Sequence, residues 1–327
     1  MAETSRDAGG TLSVRVLPYV AAALEAGEPV VALESSVLAQ GLPIPSNREA
    51  AERMTRAVER GGAISAITAV VRGEATLGLE AAELERFLAR DGVRKVSSRD
   101  LGIAIAQKAD GATTVAASLC IAGAIGTDVL ATGGIGGVHR GAPFDESGDL
   151  AELARTPMVV VCAGIKSILD LPATLERLET LGVAVIGYRI DEMPGFFTRT
   201  TGLELTARAD SPEEIAAIHL AARSLGRRQA TLVVQPPPSD VALPQDLVDS
   251  AVAEALNDAL LAGVRGAATT PFLLGAVFRA TAGRSLWANL GLLEENAFLA
   301  AQIAVALAAE QRLSRARAPN FGPVGVG

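Results

Sequence analysis

The sequence predicts a single α/β domain, three layers deep, with a mainly parallel sheet between two layers of helices. Three observations carry this expectation. From Val30 to Val234, short β-branched apolar runs alternate with stretches of helical period. Two of these runs, TDVLAT and PMVVVCAG, end on glycine, and polar residues follow each. That is the pattern of buried parallel strands whose carboxyl ends carry chemistry. Finally, 327 residues at 49% hydrophobic can bury one large core, and neither a linker nor an internal repeat interrupts them. The domain is expected over residues 11–315, with loose tails at 1–10 and 316–327.

In order, VLPYVAAALEAG reads as a first helix stopped by Gly27, and PVVALESS as a strand ending on Glu34. The loop QGLPIPSN carries two prolines, and Ser46 or Asn47 then caps a helix through REAAERMTRAVERGG. AISAITAVVRG is a strand, EATLGL a short extension or hairpin arm, and EAAELERFLARDG an amphipathic helix. VRKVSSRD is a short strand with Lys95 at its end. DLGIAIAQKADG and TTVAASLCIAGAIG read as two alanine-rich, tightly packed helices. DLAELART is the helix between TDVLATGG and PMVVVCAG. In SILDLPATLERLETLG, Pro172 marks either a kink or the true start of the helix. VAVIGYR is a strand. SPEEIAAIHLAARSLG is a helix capped by Ser211 with Pro212 at its first position, and ATLVVQPPP is a strand stopped by prolines. Pro244 to about Arg315 is mostly helical.

A net charge of −8 argues against nucleic-acid binding driven by overall charge, but leaves room for a small anion held by a few local cations. No apolar run is read as approaching the ~20 residues of a membrane span, and MAETSRDAGG lacks the features of a signal peptide. Cys120 and Cys162 both lie in apolar segments, which suggests buried free thiols and a cytoplasmic protein.

The chemistry-bearing residues cluster after the two central strands. GGIGG puts four glycines in five residues, with His139 and Arg140 behind them. It is not a dinucleotide fingerprint, because RGAP does not start a helix, and Gly164-Ile165-Lys166-Ser167 is not a P-loop, because Ile165 stands where a glycine belongs. GGIGG is either a tight turn or a place where backbone approaches a ligand closely. Asp145 and Asp149 flank Ser147. Such oxygens suit Mg²⁺ or Mn²⁺, or belong to a solvated loop and a helix cap. Lys166, at a buried strand end, is either an amine nucleophile or a lysine snorkelling from the core. Glu34 ends a strand as a general acid or as a cap. His139 and Arg140 could bind phosphate, whereas His219 reads as a helix-packing residue.

The stretches VALESSVLAQGLPIPSN, RKVSSRDL, GATTVAASL, LATGGIGGVHRGA, CAGIKSILDLPATLERLETLGV, TPFLLGAV and SLWANL resemble the pseudouridine-5'-phosphate glycosidase family, which includes the indigoidine synthase A-like proteins. They run in family order over about residues 29–307. The resemblance implies an α/β/α fold, a homotrimer and a divalent metal, typically Mn²⁺. It also implies reversible cleavage of the C–C glycosidic bond of pseudouridine 5'-phosphate to uracil and ribose 5-phosphate. On the matching positions, the catalytic lysine is Lys166, the catalytic glutamate Glu34 and the metal aspartate Asp145. Ser147, Gly148 and Asp149 match the substrate-contacting turn, and Asp149 is a second candidate for proton transfer. Lys95, Val115 and Asn289 fall on substrate positions, and Thr132, His139 and Arg140 complete the candidate substrate-binding set. This chain departs from the family in HRGAPFDESGDL. The loop before Asp145 is shorter than usual, and Gly148 replaces the usual alanine. Two other functions follow from the same residues: the same chemistry on a different C-glycosyl phosphate, or a sugar or nucleoside kinase, which the missing P-loop disfavours.

Overall fold

The computed structural model describes residues 13–141, 144–264 and 269–317. The tail expected at 1–10 lies outside the described residues, as does 318–327 of the second tail. The core is one sheet of eleven strands with helices packed along it. The strands are β1 (Val14–Val16), β2 (Val30–Glu34), β3 (Ile64–Val71), β4 (Glu74–Leu77), β5 (Arg94–Val96), β6 (Gly111–Thr113), β7 (Val129–Ala131), β8 (Val159–Cys162), β9 (Ala184–Tyr188), β10 (Arg208–Ala209) and β11 (Thr231–Val234). The main path runs β1-β4-β3-β2-β7-β8-β11-β9-β10, with β6 joined to β3 and β5 joined to β6. Pairing is parallel except where β3 meets β4 and β6. β2, β7, β8 and β11 are buried throughout, as strands covered on both faces must be.

The helices are α1 (Pro18–Glu25), α2 (Ser46–Arg60), α3 (Ala81–Ala89), α4 (Leu101–Ala106), α5 (Val115–Ile125), α6 (Gly148–Leu153), α7 (Leu171–Thr180), α8 (Pro212–Ser224), α9 (Gln245–Leu261), α10 (Thr269–Ala280) and α11 (Arg284–Arg317). α11 lies along β2, β7 and β8 and packs on α2 and α8. α5 lies along β1 to β4 and packs on α6. Large aromatics are few, so small residues let the layers approach: on α5, Val115 through Leu119 are buried without a break.

Several expectations need correction. Val16 belongs to β1, which pairs with β4, so α1 starts two residues later at Pro18. Neither Ser46 nor Asn47 caps α2. Asn47 Nδ2 instead donates to the carbonyls of Leu38 (3.0 Å) and Leu88 (2.8 Å), tying α2 to a π-helical turn at Val37–Gly41 and to α3. Thr113 is in β6 rather than a helix, and α5 starts after it, capped by Thr114. Three-residue strands such as β1 and β6 are too short to show a period, and only their partners define them. Lys95 is the middle residue of β5, not its end. Pro172 marks the true start of α7, with Asp170 as its cap. Finally, Arg284–Ser314 is long and apolar enough to cross a membrane, but 61% of its most apolar window is buried inside the protein. Its apolar residues are buried because it packs on two helices, α2 and α8, and along β2, β7 and β8.

Candidate active site

β2, β7 and β8 are neighbours, and their carboxyl ends open on one crevice. Beyond the strand ends, β7 and β8 stay zipped: Ala163 N–H donates to Gly133 O (2.9 Å), Ile135 N–H to Gly164 O (3.0 Å) and Lys166 N–H to Ile135 O (3.1 Å). This ladder brings Lys166 up beside the GGIGG segment. Glu34, the last residue of β2, is 3% exposed. One of its oxygens accepts the hydroxyl of Thr132, the residue after β7, and the other accepts Ser36 Oγ at 2.8 Å.

Asp149, in the first turn of α6, is 4% exposed. Its Oδ1 accepts Ala116 N–H (2.9 Å) and its Oδ2 accepts Gly136 N–H (2.8 Å). The two buried carboxylates therefore differ in kind. The partners of Asp149 only donate, whereas the hydroxyl partners of Glu34 can donate or accept. Ser147 caps α6, and its Oγ accepts Asp149 N–H at 3.2 Å.

GGIGG is neither a turn of unusual backbone nor a bare ligand cradle. A Cβ at Gly136 would lie 2.2 Å from Ser147 Oγ, one at Gly137 2.4 Å from Thr174, and one at Gly134 2.5 Å from Phe196. The glycines let the segment pass between these side chains while still lining the cavity. At Gly148, a Cβ would come 3.1 Å from Ser97 Oγ, so the glycine in place of alanine gives that serine room.

The crevice has two lobes joined at a neck formed by Glu34, Ser36, Lys95, Lys166 and Thr270. One lobe is largely apolar, with Val37, Phe196, Pro271 and Leu274 on its walls and Asn289 and Gln40 among them. The other is the more polar of the two, with Ser97, Ser98, Thr114, His139, Asp145, Ser147 and Asp149. Burial, and next the neighbouring Lys166, hold Lys95 below the ordinary lysine range, while Glu34 and Asp149 pull the other way. Cys162 sits at the end of β8, fully buried, with its thiol pushed up to about 12, which makes it unsuited to nucleophilic work.

Val115 is fully buried at the start of α5 and lines neither lobe; its neighbour Thr114 lines the polar one. Arg140 is not brought into the cavity. Its Nε donates to Leu169 O (2.9 Å) and its guanidinium to Ser167 O (3.3 Å), so it fastens the Lys166 loop rather than a phosphate. Ser36, Ser97, Ser98, Phe196 and Thr270 line the site without having been singled out. Apart from Phe196 they lie in or beside the stretches carrying the resemblance, but one serine or threonine among many gives no signal of its own.

At the polar mouth, Asp145 has a side chain 53% exposed, and its Oδ1 is 3.4 Å from His139 Nδ1. Among the described residues, no three His, Cys, Asp or Glu side chains converge as a metal cage. This donor set fits a hard divalent ion that keeps most of its water and is held through one carboxylate. GGIGG runs on through bridged loop to α6 rather than into a helix, so the kinase reading lacks a phosphate-binding loop.

Comparison with known proteins agrees with this architecture. Residues 19–306 match the family model of indigoidine synthase A-like proteins. The chain is 66% identical over 296 residues to a pseudouridine-5'-phosphate glycosidase of Gemmatimonas aurantiaca, covering 90% of this chain and 97% of that one. It is 50% identical over 292 residues to one of Herpetosiphon aurantiacus, with coverage of 89% and 96%. Among solved structures, it resembles the prealnumycin C-glycosynthase AlnA in complex with ribulose 5-phosphate at 36% identity and a TM-score of 0.85, covering 92% of this chain and 98% of that one. An indigoidine synthase A-like protein from Thermotoga maritima matches at 34% identity and a TM-score of 0.84, with coverage of 93% and 100%. The chain belongs to the family of pseudouridine-5'-phosphate glycosidases and indigoidine synthase A-like proteins.

Proposed function

We propose that this protein is a pseudouridine-5'-phosphate glycosidase, acting reversibly on the C–C bond between ribose C1' and uracil C5. The observation that carries the reading is the neck: two amines, Lys166 and Lys95, and one carboxyl with hydroxyl partners, Glu34, lie between an apolar lobe that suits a base and a more polar lobe that suits a sugar phosphate. The names of relatives up to 66% identical support it.

A C-glycoside cannot leave directly, because the leaving group would be a carbanion at C5. Opening the ribose avoids that. Glu34 gives a proton to the ring oxygen as the C1'–O4' bond breaks and the uracil ring feeds electrons to C1'. Glu34 suits this role because Thr132 and Ser36 can serve its protonated and deprotonated forms alike. Asp149, occupied by two backbone N–H groups, holds the GGIGG segment and the start of α5 in register. Neutral Lys166 Nζ adds to C1' and the uracil ring recovers its electrons. Nζ then gives up a proton and C5 takes one up, so the C1'–C5 pair returns to the ring as the nitrogen lone pair forms a C=N bond. Uracil departs, and water hydrolyses the Lys166 imine to free ribose 5-phosphate. Lys95, His139, Ser97, Ser98 and Ser147 bind the phosphate. A divalent ion such as Mn²⁺ held by Asp145 would supply positive charge and ordered water there. Asn289 faces the base.

We further infer a cytoplasmic homotrimer. Free Cys120 and Cys162 fit a reducing compartment. Exposed Phe278 and Trp287, on and beside an apolar groove outside the base lobe, offer surface for a second copy. A second substrate reading, another C-glycosyl phosphate, is favoured by the resemblance to the C-glycosynthase solved with ribulose 5-phosphate.

The deciding experiment incubates the protein with Mn²⁺, uracil and ribose 5-phosphate and looks for pseudouridine 5'-phosphate by mass. The expected result is product formation that chelator suppresses and fresh Mn²⁺ restores. No product from folded protein would sink this substrate assignment. Light scattering at the mass of a monomer would sink the trimer.

A further inference from the structure

The base lobe has two ends. Its inner end is the neck. Its outer end borders the neighbouring groove and is formed by Gln40, Gly41, Pro271, Leu274 and Asn289, none of which reaches the phosphate lobe. Two of these residues carry buried side-chain oxygens with no hydrogen-bond partner among the described residues, Gln40 Oε1 and Asn289 Oδ1. Buried acceptors are ordinarily satisfied, so an orphaned pair on a cavity wall marks where ligand donors belong. The orientation of Gln40 is fixed: its Nε2 donates to the Val93 carbonyl at 3.3 Å, which turns the oxygen away as a committed acceptor.

We propose that Gln40 is a specificity-determining residue that reads an N–H on the far edge of the base and, with Asn289, selects uracil linked through C5 over uracil linked through N1. The proposal rests on the substrate class proposed above. With C1' at Lys166 in the neck, the edge of the base opposite the glycosidic bond points to the outer end. A C5-linked uracil shows N1–H, O2 and N3–H there, a donor, an acceptor and a donor. An N1-linked uracil shows N3–H, O4 and the apolar C5–H, and so offers one donor fewer. Two acceptors at the outer end, with the Asn289 amide nitrogen free to meet the middle oxygen, complement the first edge. The second edge leaves one buried acceptor unpaired. A site built to hydrogen-bond a ligand group discriminates strongly against the analogue that lacks it.

The test measures calorimetric binding of uracil, 1-methyluracil and 3-methyluracil to the wild-type protein and to Gln40→Met, which keeps the volume and removes the acceptor. The wild type should prefer uracil to both methylated compounds. Gln40→Met should bind uracil roughly tenfold more weakly and lose its discrimination against one of the two. Gln40→Glu, which keeps an acceptor, should recover part of the affinity. In cleavage assays run alongside, Gln40→Met should raise KM and leave kcat little changed. Unchanged uracil affinity in Gln40→Met overturns the proposal, and so does a wild type that binds the three compounds equally. If the wild type cleaves pseudouridine 5'-phosphate but Gln40→Met behaves like it, only the role of Gln40 fails. If the wild type discriminates as expected but cleaves nothing, only the proposed reaction fails.

Discussion

Gly136 and Asp149 are joined by a contact that no larger residue at 136 permits. The Gly136 N–H donates to Asp149 Oδ2 at 2.8 Å, and a Cβ at Gly136 would lie 2.9 Å from that same oxygen and 2.5 Å from Ser147 Cβ. Gly136→Ala must push α6 and the GGIGG segment apart, and α6 carries the turn that faces the phosphate lobe. A displacement of about 1 Å in a positioning element costs on the order of 10²-fold in rate. The variant should fold cooperatively, as its circular dichroism melt would report, and lose about that factor in kcat/KM. Near-normal kinetics would mean that Asp149 is not needed in its present position.

Lys166 is the one amine at the neck besides Lys95, and the imine pathway needs a lysine there. Lys166→Ala should leave substrate binding measurable and reduce turnover to background. Lys166→Arg should be equally inactive, because a guanidinium keeps the charge but cannot form the imine. Borohydride added to wild type with ribose 5-phosphate should add one reduced pentose phosphate to the peptide carrying Lys166. An unmodified peptide under turnover conditions, or an active arginine variant, would rule out covalent catalysis by this residue.

Lys95 gives the site a pH dependence of predictable sign. Burial first, and then the neighbouring Lys166, lower its proton affinity below that of a free lysine. As pH rises through that lowered value the ammonium is lost, and with it attraction for the phosphate. KM should therefore climb on the alkaline side earlier than the ordinary lysine range near ~10.4 would allow. Lys95→Arg should move the climb beyond the measurable range. Lys95→Met should raise KM at every pH and flatten the limb. An alkaline limb that survives in Lys95→Met belongs to another group.

Much of this site was legible in the sequence because it sits at strand ends. Glu34, Thr132 and Lys166 follow short β-branched runs that could only be buried parallel strands, and neighbouring parallel strands bring their ends together. What one sequence does not carry is direction. Arg140 stands beside His139 in a phosphate-binding pattern, yet its guanidinium turns to the carbonyls of Ser167 and Leu169. GGIGG announces a close approach, but the approach is to Ser147, Thr174 and Phe196, residues distant in sequence. Gln40 lies within a matching stretch, and only the folded chain shows that it lines the apolar lobe and that its buried oxygen has no partner among the described residues. β1, β6 and β10 have two or three residues each and exist through pairing alone.

His219 reads as a packing residue, and its burial makes a stability prediction. It is 2% exposed on α8, and its Nδ1 pairs with Thr231 Oγ1 at 2.9 Å. Burial lowers its proton affinity, Asp128 opposes this and Arg223 reinforces it, and the result is a group held at about 4 instead of 6.5. Between those values the unfolded chain binds a proton that the folded chain refuses. Stability from this group is therefore complete above about 6.5 and is lost as pH falls towards 4. The loss by pH 5 is roughly 2 kcal/mol. Urea unfolding at pH 7.5 and pH 5 should show it as a lower midpoint at unchanged slope. His219→Gln can keep the bond to Thr231 without titrating, so its stability should fall less over the same interval, by about that amount. Equal losses in the two proteins would show that His219 takes up a proton in the folded state as readily as in the unfolded one.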